Sequence, residues 1–294
     1  MRGYLLRLRP FVLIAVLTMA GTELSAFAAS EQSISKLNSQ FCELEARLKP
    51  LEELGYVAHA GGSPSGLSQE EAYTNSREAF EISYQNGFRA FEFDLLTLGD
   101  GTVVVAHNGK EDKYGLSKNF KEASRADVES ARWRGKYPLL FAEDLIALMA
   151  KYKDIWVILD TKWDHLEIAE VMVSLTSDST ILDRIVPHLR SDSHTWALPG
   201  VYSFPEKMVA LYGWPASDNE LLTRMARYGV DNVMMWGEPD NMRWSEETQV
   251  RLEEAGYHVW VHTPQNPEDI RAFRARGVGV YSNGYIEDCE RLRR

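Results

Sequence analysis

Residues 155–190 read IWVILDTKWDHLEIAEVMVSLTSDSTILDRIVPHLR, and this stretch predicts the fold of the chain. The apolar run at 155–160 predicts a buried strand, because short apolar runs between polar residues are typical of one. A helical pattern follows at 164–177, and the run at 184–190 predicts the next strand. A strand, a helix and a strand in this order indicate a parallel βαβ unit.

The same alternation extends over most of the chain. Further candidate strands lie at 55–60, 90–96, 102–107, 208–212, 231–236, 257–262 and 278–282, and further helices at 68–86, 139–152, 217–228, 245–255 and 267–276. Strand 102–107 follows its predecessor after a short Leu-Gly-Asp-Gly turn, so we expect a hairpin there and not a crossover. Eight or nine strands over this length fit a closed TIM (β/α)₈ barrel better than an open sheet. We therefore expect a single α/β domain at residues 55–290.

The first residues have the layout of a secretory signal. Arginines within the first nine positions precede an apolar run at 11–20, and small residues follow at 26–29. The run is well short of the roughly 20 apolar residues needed to span a bilayer. We expect a signal peptide at 1–28, cleavage after Ala28, no stable membrane anchor, and a location in the periplasm or outside the cell.

The segment after the signal is expected to form a helix. Apolar residues recur at steps of three and four between 31 and 49, and Pro50 ends the pattern, so 29–54 reads as an N-terminal amphipathic segment. The only cysteines are Cys42 and Cys289. Export would let them form a disulfide, but two buried thiols are the alternative, and the sequence leaves both open.

Composition limits the possible partners. The chain is 45% hydrophobic and 26% charged, which is typical of a globular protein. Its net charge of −11 becomes −13 without residues 1–28, which contain three Arg and one Glu. An acidic surface argues against nucleic acid or an anionic membrane as the main partner. Any phosphate ester would need positive charge supplied locally.

Charged residues lie at the predicted strand ends. Glu92 and Asp94 are two residues apart on one strand, so their side chains leave the same face. Asp160 and Lys162 repeat this spacing at the end of another strand. The carboxyl ends of the strands carry catalysis in a TIM barrel, and three carboxylates there would repel one another without a cation. Such an all-oxygen set suits one hard divalent cation, Mg²⁺ or Ca²⁺.

Histidines provide groups for proton transfer. His59 ends the first candidate strand, and His107 ends the hairpin strand. One imidazole can take a proton from the nucleophile while the other gives one to the leaving alcohol. With a metal and Lys162 to stabilise charge on the phosphate, the set is complete for phosphodiester cleavage. His188 and His262 also fall near strand ends, where each could reach the mouth or be structural.

The order of these residues resembles the glycerophosphodiester phosphodiesterase family. The similar segments are His59-Ala-Gly-Gly, Thr74-Asn75-Ser76, Ala79-Phe80, Gly87 to Asp94, Asp100 to His107, Tyr137 to Leu140, Glu143-Asp144-Leu145, Val259 to His262 and Gly277 to Asn283. They cover roughly residues 55–290, and the first fifty positions carry most of the specificity. The resemblance implies a TIM barrel and a phosphoric diester hydrolase acting on a small or lipid-derived phosphodiester.

The resemblance also implies roles for individual residues. The acid and base would be His59 and His107. The metal ligands would be Glu92, Asp94 and Asp160. The substrate contacts would be Lys162 at the phosphate, Trp260 at the organic group, and Asn75.

Three positions depart from the usual family pattern. Ala60 replaces the Arg after the first His, Asn108 replaces the Asp after the second, and Asp160 replaces a Glu, as in the related spider-toxin phospholipase D proteins. The first hypothesis is hydrolysis of a glycerol-type phosphodiester. The alternatives are a phospholipase-like lyase that forms a cyclic phosphate, and a non-catalytic barrel that binds a phosphorylated ligand.

Overall fold

The computed structural model describes residues 48–65, 71–190, 197–211, 218–236, 246–264 and 266–284. The expected signal peptide, most of the expected N-terminal helix and both cysteines lie outside the described residues. Within these ranges the N-terminal segment contributes one short helix, Leu51–Leu54, after Pro50. No helix of the described ranges is long and apolar enough to cross a membrane.

Eight parallel strands form a closed barrel. They are β1 Tyr56–Ala58, β2 Ala90–Thr97, β3 Trp156–Thr161, β4 Ile185–Leu189, β5 Met208–Ala210, β6 Asn232–Trp236, β7 His258–His262 and β8 Gly279–Ser282. Each strand pairs with the next one of this series, and β8 pairs with β1, which closes the ring. The predicted (β/α)₈ barrel is confirmed.

Helices surround the barrel. The longer ones are Arg77–Gln85, Ala142–Lys151, His165–Ser174, Asp218–Tyr228, Glu246–Glu254 and Pro267–Ala275. The short ones are Arg125–Val128, Ser179–Leu182 and the 3₁₀ turns His59–Gly61, Glu111–Tyr114, Phe120–Glu122 and Leu198–Gly200. The helix predicted at 68–86 begins only at Arg77, because the Ser76 hydroxyl accepts from the Ala79 N–H at 3.2 Å and caps it there.

The hairpin predicted after β2 is confirmed. Val103–Val105 runs antiparallel to the end of β2, and Leu140–Phe141 then pairs antiparallel with Val103–Val105. The helix predicted from residue 139 therefore starts later, at Ala142. The hairpin strand is also shorter than the predicted 102–107, so His107 lies in the loop beyond it.

An extension beside the barrel was not predicted. Its ribbon, Arg132–Trp133 paired with Tyr137–Pro138, is too short to leave a periodic signal in the sequence. The ribbon and the hairpin enclose a second apolar core, which includes Leu96, Val104, Tyr114, Phe120 and Trp133. This core anchors the loop that carries His107.

Apolar side chains fill the barrel below its mouth. The filling includes Val57, Ile158, Val186, Met234, Trp260 and Tyr281. The Trp260 indole N–H donates to Asn232 Oδ1 at 3.0 Å. Because Asn232 opens β6, the indole reaches towards the N-terminal end of the barrel. Gly279, which has no side chain, leaves room for the indole ring.

Gly279→Ala is expected to destabilise the fold. The added Cβ would lie 2.2 Å from Cε3 of Trp260, and overpacking a filled core costs about 1–3 kcal/mol. Urea unfolding measures the effect, with Gly200→Ala as control because a Cβ there meets nothing within 4 Å. Equal unfolding midpoints for the two variants would show that the indole shifts without cost.

Candidate active site

Three carboxylates meet at the C-terminal mouth of the barrel. Glu92 and Asp94 project inward from β2, while the residues between and beside them pack outward into the main core. The register of β2 and β3 pairs Asp94 with Asp160. One oxygen of each carboxylate lies within 4.8 Å of the others, and all three side chains are buried. The structure thus brings the predicted metal ligands together.

Lys162 lies between two of these carboxylates. Its Nζ is 2.5 Å from Asp94 Oδ1 and 2.6 Å from Asp160 Oδ2. Burial alone would lower the pKa of the ammonium, but the two carboxylates outweigh it and raise that pKa. Burial is the largest effect on each carboxyl and raises its pKa, but Lys162 and the other nearby basic groups together outweigh it and hold both pKa values below the ordinary range. All three groups are therefore charged at neutral pH.

Glu92 lacks a cation of this kind. Its Oε2 accepts the Ala60 N–H at 2.7 Å, whereas no group of the described ranges hydrogen-bonds the buried Oε1. Burial, followed by the charges of Asp94 and Asp160, raises the pKa of Glu92 well above its ordinary value. A divalent cation would give Oε1 a partner and offset the repulsion. The three carboxylates therefore fit a hard divalent metal ion.

Asn75 supports one of the carboxylates from behind. Its Nδ2 donates to Asp94 Oδ2 at 2.8 Å, and its Oδ1 accepts the Asp94 backbone N–H at 3.0 Å. The side chain is fully buried. In this structure Asn75 orients Asp94, and its predicted contact with substrate stays a prediction.

His59 lies beside the carboxylates, one residue after β1 and not within it as predicted. Its Nδ1 is 2.7 Å from Asn283 Oδ1. Because an amide oxygen only accepts, Nδ1 carries the hydrogen and Nε2 carries the lone pair, 3.9 Å from Glu92 Oε2. Burial lowers the pKa of His59 below its ordinary value. A neutral imidazole in this position is suited to accept a proton.

His107 lies across an aromatic ring from His59. The Tyr73 ring contacts His59 edge to face at 4.7 Å and His107 at 5.4 Å between centroids. His107 is partly exposed, and its Nδ1 donates to the Asn108 carbonyl at 2.6 Å. Its Nε2 is then the basic nitrogen. The two imidazoles thus flank the mouth from different sides. Tyr73, which lies between them, was not predicted from the sequence because it lies in a loop without a periodic pattern.

The two further histidines also reach the mouth. The His262 ring is edge-on to His59 at 4.6 Å between centroids, and His188 Nδ1 is 3.5 Å from Asp160 Oδ1. Burial lowers the pKa of both imidazoles, so both are neutral at pH 7. Trp260 lies deeper and only 1% exposed, and its predicted contact with the organic group stays a prediction.

Arg190 is a charged residue of the mouth that sequence reasoning missed. It follows β4 directly, and its Nη2 donates to Asp160 Oδ1. Since Lys162 holds Oδ2, both oxygens of Asp160 contact cations. Charged residues at the ends of predicted strands were selected from the sequence. The same criterion could have found Arg190, because it is the last residue of the strand predicted at 184–190.

The barrel is shared with solved structures of phosphodiesterases. A Galdieria sulphuraria protein, described provisionally as a glycerophosphodiester phosphodiesterase, is 16% identical over 81% of this chain and 97% of its own, with a TM-score of 0.67. The glycerophosphodiester phosphodiesterase of Thermotoga maritima is 16% identical over 79% and 95%, with a TM-score of 0.60. A phosphodiesterase from Oleispira antarctica, solved with the product sn-glycerol-3-phosphate, is 14% identical over 78% and 92%, with a TM-score of 0.59.

Sequence comparison adds nothing to this structural likeness. No family model matches the chain, and no curated protein matches it. At identities of this size the likeness establishes the fold, which is the fold that the resemblance in the sequence predicted. The activity has to be argued from the site itself.

Glu92→Gln is expected to stabilise the metal-free protein. The pKa of Glu92 is raised above its ordinary 4.5, so its ionised form destabilises the fold progressively as pH rises above that value. Removing the charge should raise the free energy of unfolding at pH 8, and should raise it less at pH 5. Urea unfolding in chelator at both pH values measures this difference.

The same variant tests the metal site. Added Mg²⁺ or Ca²⁺ should raise the stability of the wild type, as any ligand of the native state does, and should do so much less in Glu92→Gln. Glu246→Gln removes an exposed carboxylate, 71% accessible, and is the control. A Glu92→Gln protein less stable than wild type at pH 8 in chelator would contradict the assigned pKa shift.

Proposed function

We propose that this protein is a divalent-cation-dependent phosphodiesterase that hydrolyses glycerophosphodiester-type substrates. The observation that carries the proposal is the neutral His59, whose basic Nε2 lies 3.9 Å from Glu92, one of the three clustered carboxylates, with His107 on the other side of Tyr73. The solved glycerophosphodiester phosphodiesterases of the same fold, and a phosphodiesterase with bound sn-glycerol-3-phosphate, support the choice of substrate class.

Positive charge would reach the phosphate from two sources. Glu92, Asp94 and Asp160 would hold Mg²⁺ or Ca²⁺, which when bound supplies Lewis-acid stabilisation of the phosphate oxygens. Lys162 lies against two of these carboxylates and adds a fixed ammonium at the same place. Charge that develops on the non-bridging oxygens is then met by groups already in position.

The histidines would move the protons. His59 Nε2 takes a proton from the attacking water, whose oxygen forms the new bond to phosphorus. His107, which is partly exposed, would act as an imidazolium: Nδ1–H stays on the Asn108 carbonyl, and Nε2–H gives its proton to the alcohol oxygen as its bond to phosphorus breaks. The products are a phosphomonoester and an alcohol. Asn283 accepts from His59 Nδ1 and so leaves the lone pair on Nε2, 3.9 Å from Glu92 Oε2, for the proton.

One feature of the site favours a second candidate. Asp160 stands in place of the family's usual Glu, and in this it resembles the spider-toxin phospholipase D proteins. In that case a substrate hydroxyl would replace water as the nucleophile, and a cyclic phosphate would be released. His59 would take the proton of this hydroxyl in the same way.

Purified protein is expected to cleave bis(p-nitrophenyl) phosphate and glycerophosphocholine with added metal and not with chelator. His59→Asn and His107→Asn should each lower kcat by about 10²- to 10⁴-fold, since each removes one proton transfer. His258→Asn, at the opposite end of β7 and exposed, is the matched control. The acidic limb of the kcat/KM profile should lie below pH 6.5, because burial lowers the pKa of His59.

Phosphorus NMR of the glycerophosphocholine reaction separates the two candidates. Glycerol phosphate as the first product supports hydrolysis, and a cyclic phosphate as the first product supports the lyase. Activity that resists both chelator and His59→Asn would show that these residues are not the active site. Failure to cleave any diester of a broad panel would favour a barrel that only binds a phosphorylated ligand.

We also propose that the protein is exported, because basic residues, an apolar run and small residues follow one another in its first 29 positions. The intact mass of the protein recovered from the periplasm or medium should correspond to a chain that begins at Ala29. A chain that retains its first 28 residues would contradict export through this signal.

A further inference from the structure

A phosphodiester has to approach an unusually acidic site. The chain carries a net charge of −11, and the mouth itself gathers three buried carboxylates. Lys162 is only 8% exposed and is held by two of those carboxylates at 2.5 and 2.6 Å. Its ammonium lies deep in the mouth and already contacts two carboxylates, so an arriving anion would first meet a more accessible cation.

The residue after the first histidine, which is a cation in the family that the sequence resembles, is uncharged in this chain. Ala60 stands where the Arg follows the first histidine in the family that the sequence resembles, and its side chain is fully buried. Its backbone N–H is used by Glu92 Oε2 at 2.7 Å. Residue 60 thus supports a carboxylate and supplies no side-chain donor for a phosphate.

Arg190 has the position and chemistry that Ala60 lacks. It lies two residues after His188, and side chains two apart along a strand direction share a face, here the inward one. Its side chain is 29% exposed, against 9% for the Asp160 side chain that its Nη2 contacts. The Arg190 side chain is therefore the more accessible of the two groups in this ion pair. A guanidinium is a planar fork of five N–H donors, so one edge can bind a carboxylate while another binds phosphate oxygens.

We propose that Arg190 binds the non-bridging phosphate oxygens of the substrate and so replaces the arginine missing at position 60. The inference deepens the proposed function and rests on it for the identity of the substrate. Its ligand is a phosphate group in any ester. Binding of inorganic phosphate can therefore test it separately from turnover.

Arg190→Gln is expected to weaken binding of inorganic phosphate by about ten- to hundredfold, as loss of a charged hydrogen bond does. Calorimetry at saturating Mg²⁺ or Ca²⁺ measures this, and KM for bis(p-nitrophenyl) phosphate should rise in parallel. Arg190→Lys should fall between the two proteins, because an ammonium keeps the charge and loses the fork. Arg276→Gln is the matched control, since Arg276 is 34% exposed, pairs with Glu246 and follows a helix at the other end of the barrel.

The outcomes separate this inference from the proposed function. At saturating metal, Arg190→Gln could bind phosphate with the affinity of the wild type and yet need a higher metal concentration for stability or activity. That result would show that Arg190 only orients Asp160, and it would overturn the inference. A wild type that binds no phosphate would overturn it as well. A wild type that binds phosphate through Arg190 but cleaves no diester would sink the proposed function and leave the inference standing.

Discussion

The ammonium of Lys162 is the interaction on which the mouth of the barrel depends. Two carboxylates at 2.5 and 2.6 Å from one nitrogen would otherwise repel each other in a buried setting. The pairing of β2 with β3 brings those carboxylates level, and the ion pair keeps both charged. Glu92 forms no ion pair with Lys162 within the described ranges, and burial, followed by the charges of Asp94 and Asp160, raises its pKa above the ordinary value.

Neutral groups from separate loops orient two of the carboxylates and His59. The Ala60 N–H fixes Glu92, the Asn75 amide fixes Asp94, and the Asn283 amide fixes His59. Each partner lies in a segment that follows or precedes a strand, where the barrel scaffold holds it. Because these partners are neutral, they add no charge, and the net charge of the site depends only on its carboxylates and cations. This division lets a crowded acidic site keep a fixed geometry.

The charged residues at the ends of the predicted strands were enough to predict much of this arrangement. The rest could not be predicted, for physical reasons. The period-two spacing of Glu92 and Asp94 was sufficient to place both on the inward face, because strand geometry leaves no other choice. Tyr73 approaches through a loop, whose path depends on tertiary contacts that have no sequence period. Trp260 shares the inward face of β7 with His262. The alternation of a strand indicates which face a side chain is on, but not how deep in the barrel it lies. The hydrogen bond to Asn232 shows that the indole turns away from the mouth.

The charges of the mouth also bear on how a phosphate would bind there. Lys162 and Arg190 together fall one charge short of balancing the three carboxylates, so a divalent cation bound as proposed would leave a single positive excess. A phosphodiester is a monoanion and would make the site neutral. A phosphomonoester, which carries close to two negative charges at pH 7, would reach the same balance with a proton on His107. The charges thus tie the binding of any phosphate to the divalent ion, because without that ion the three carboxylates would leave the mouth negative and would repel the anion.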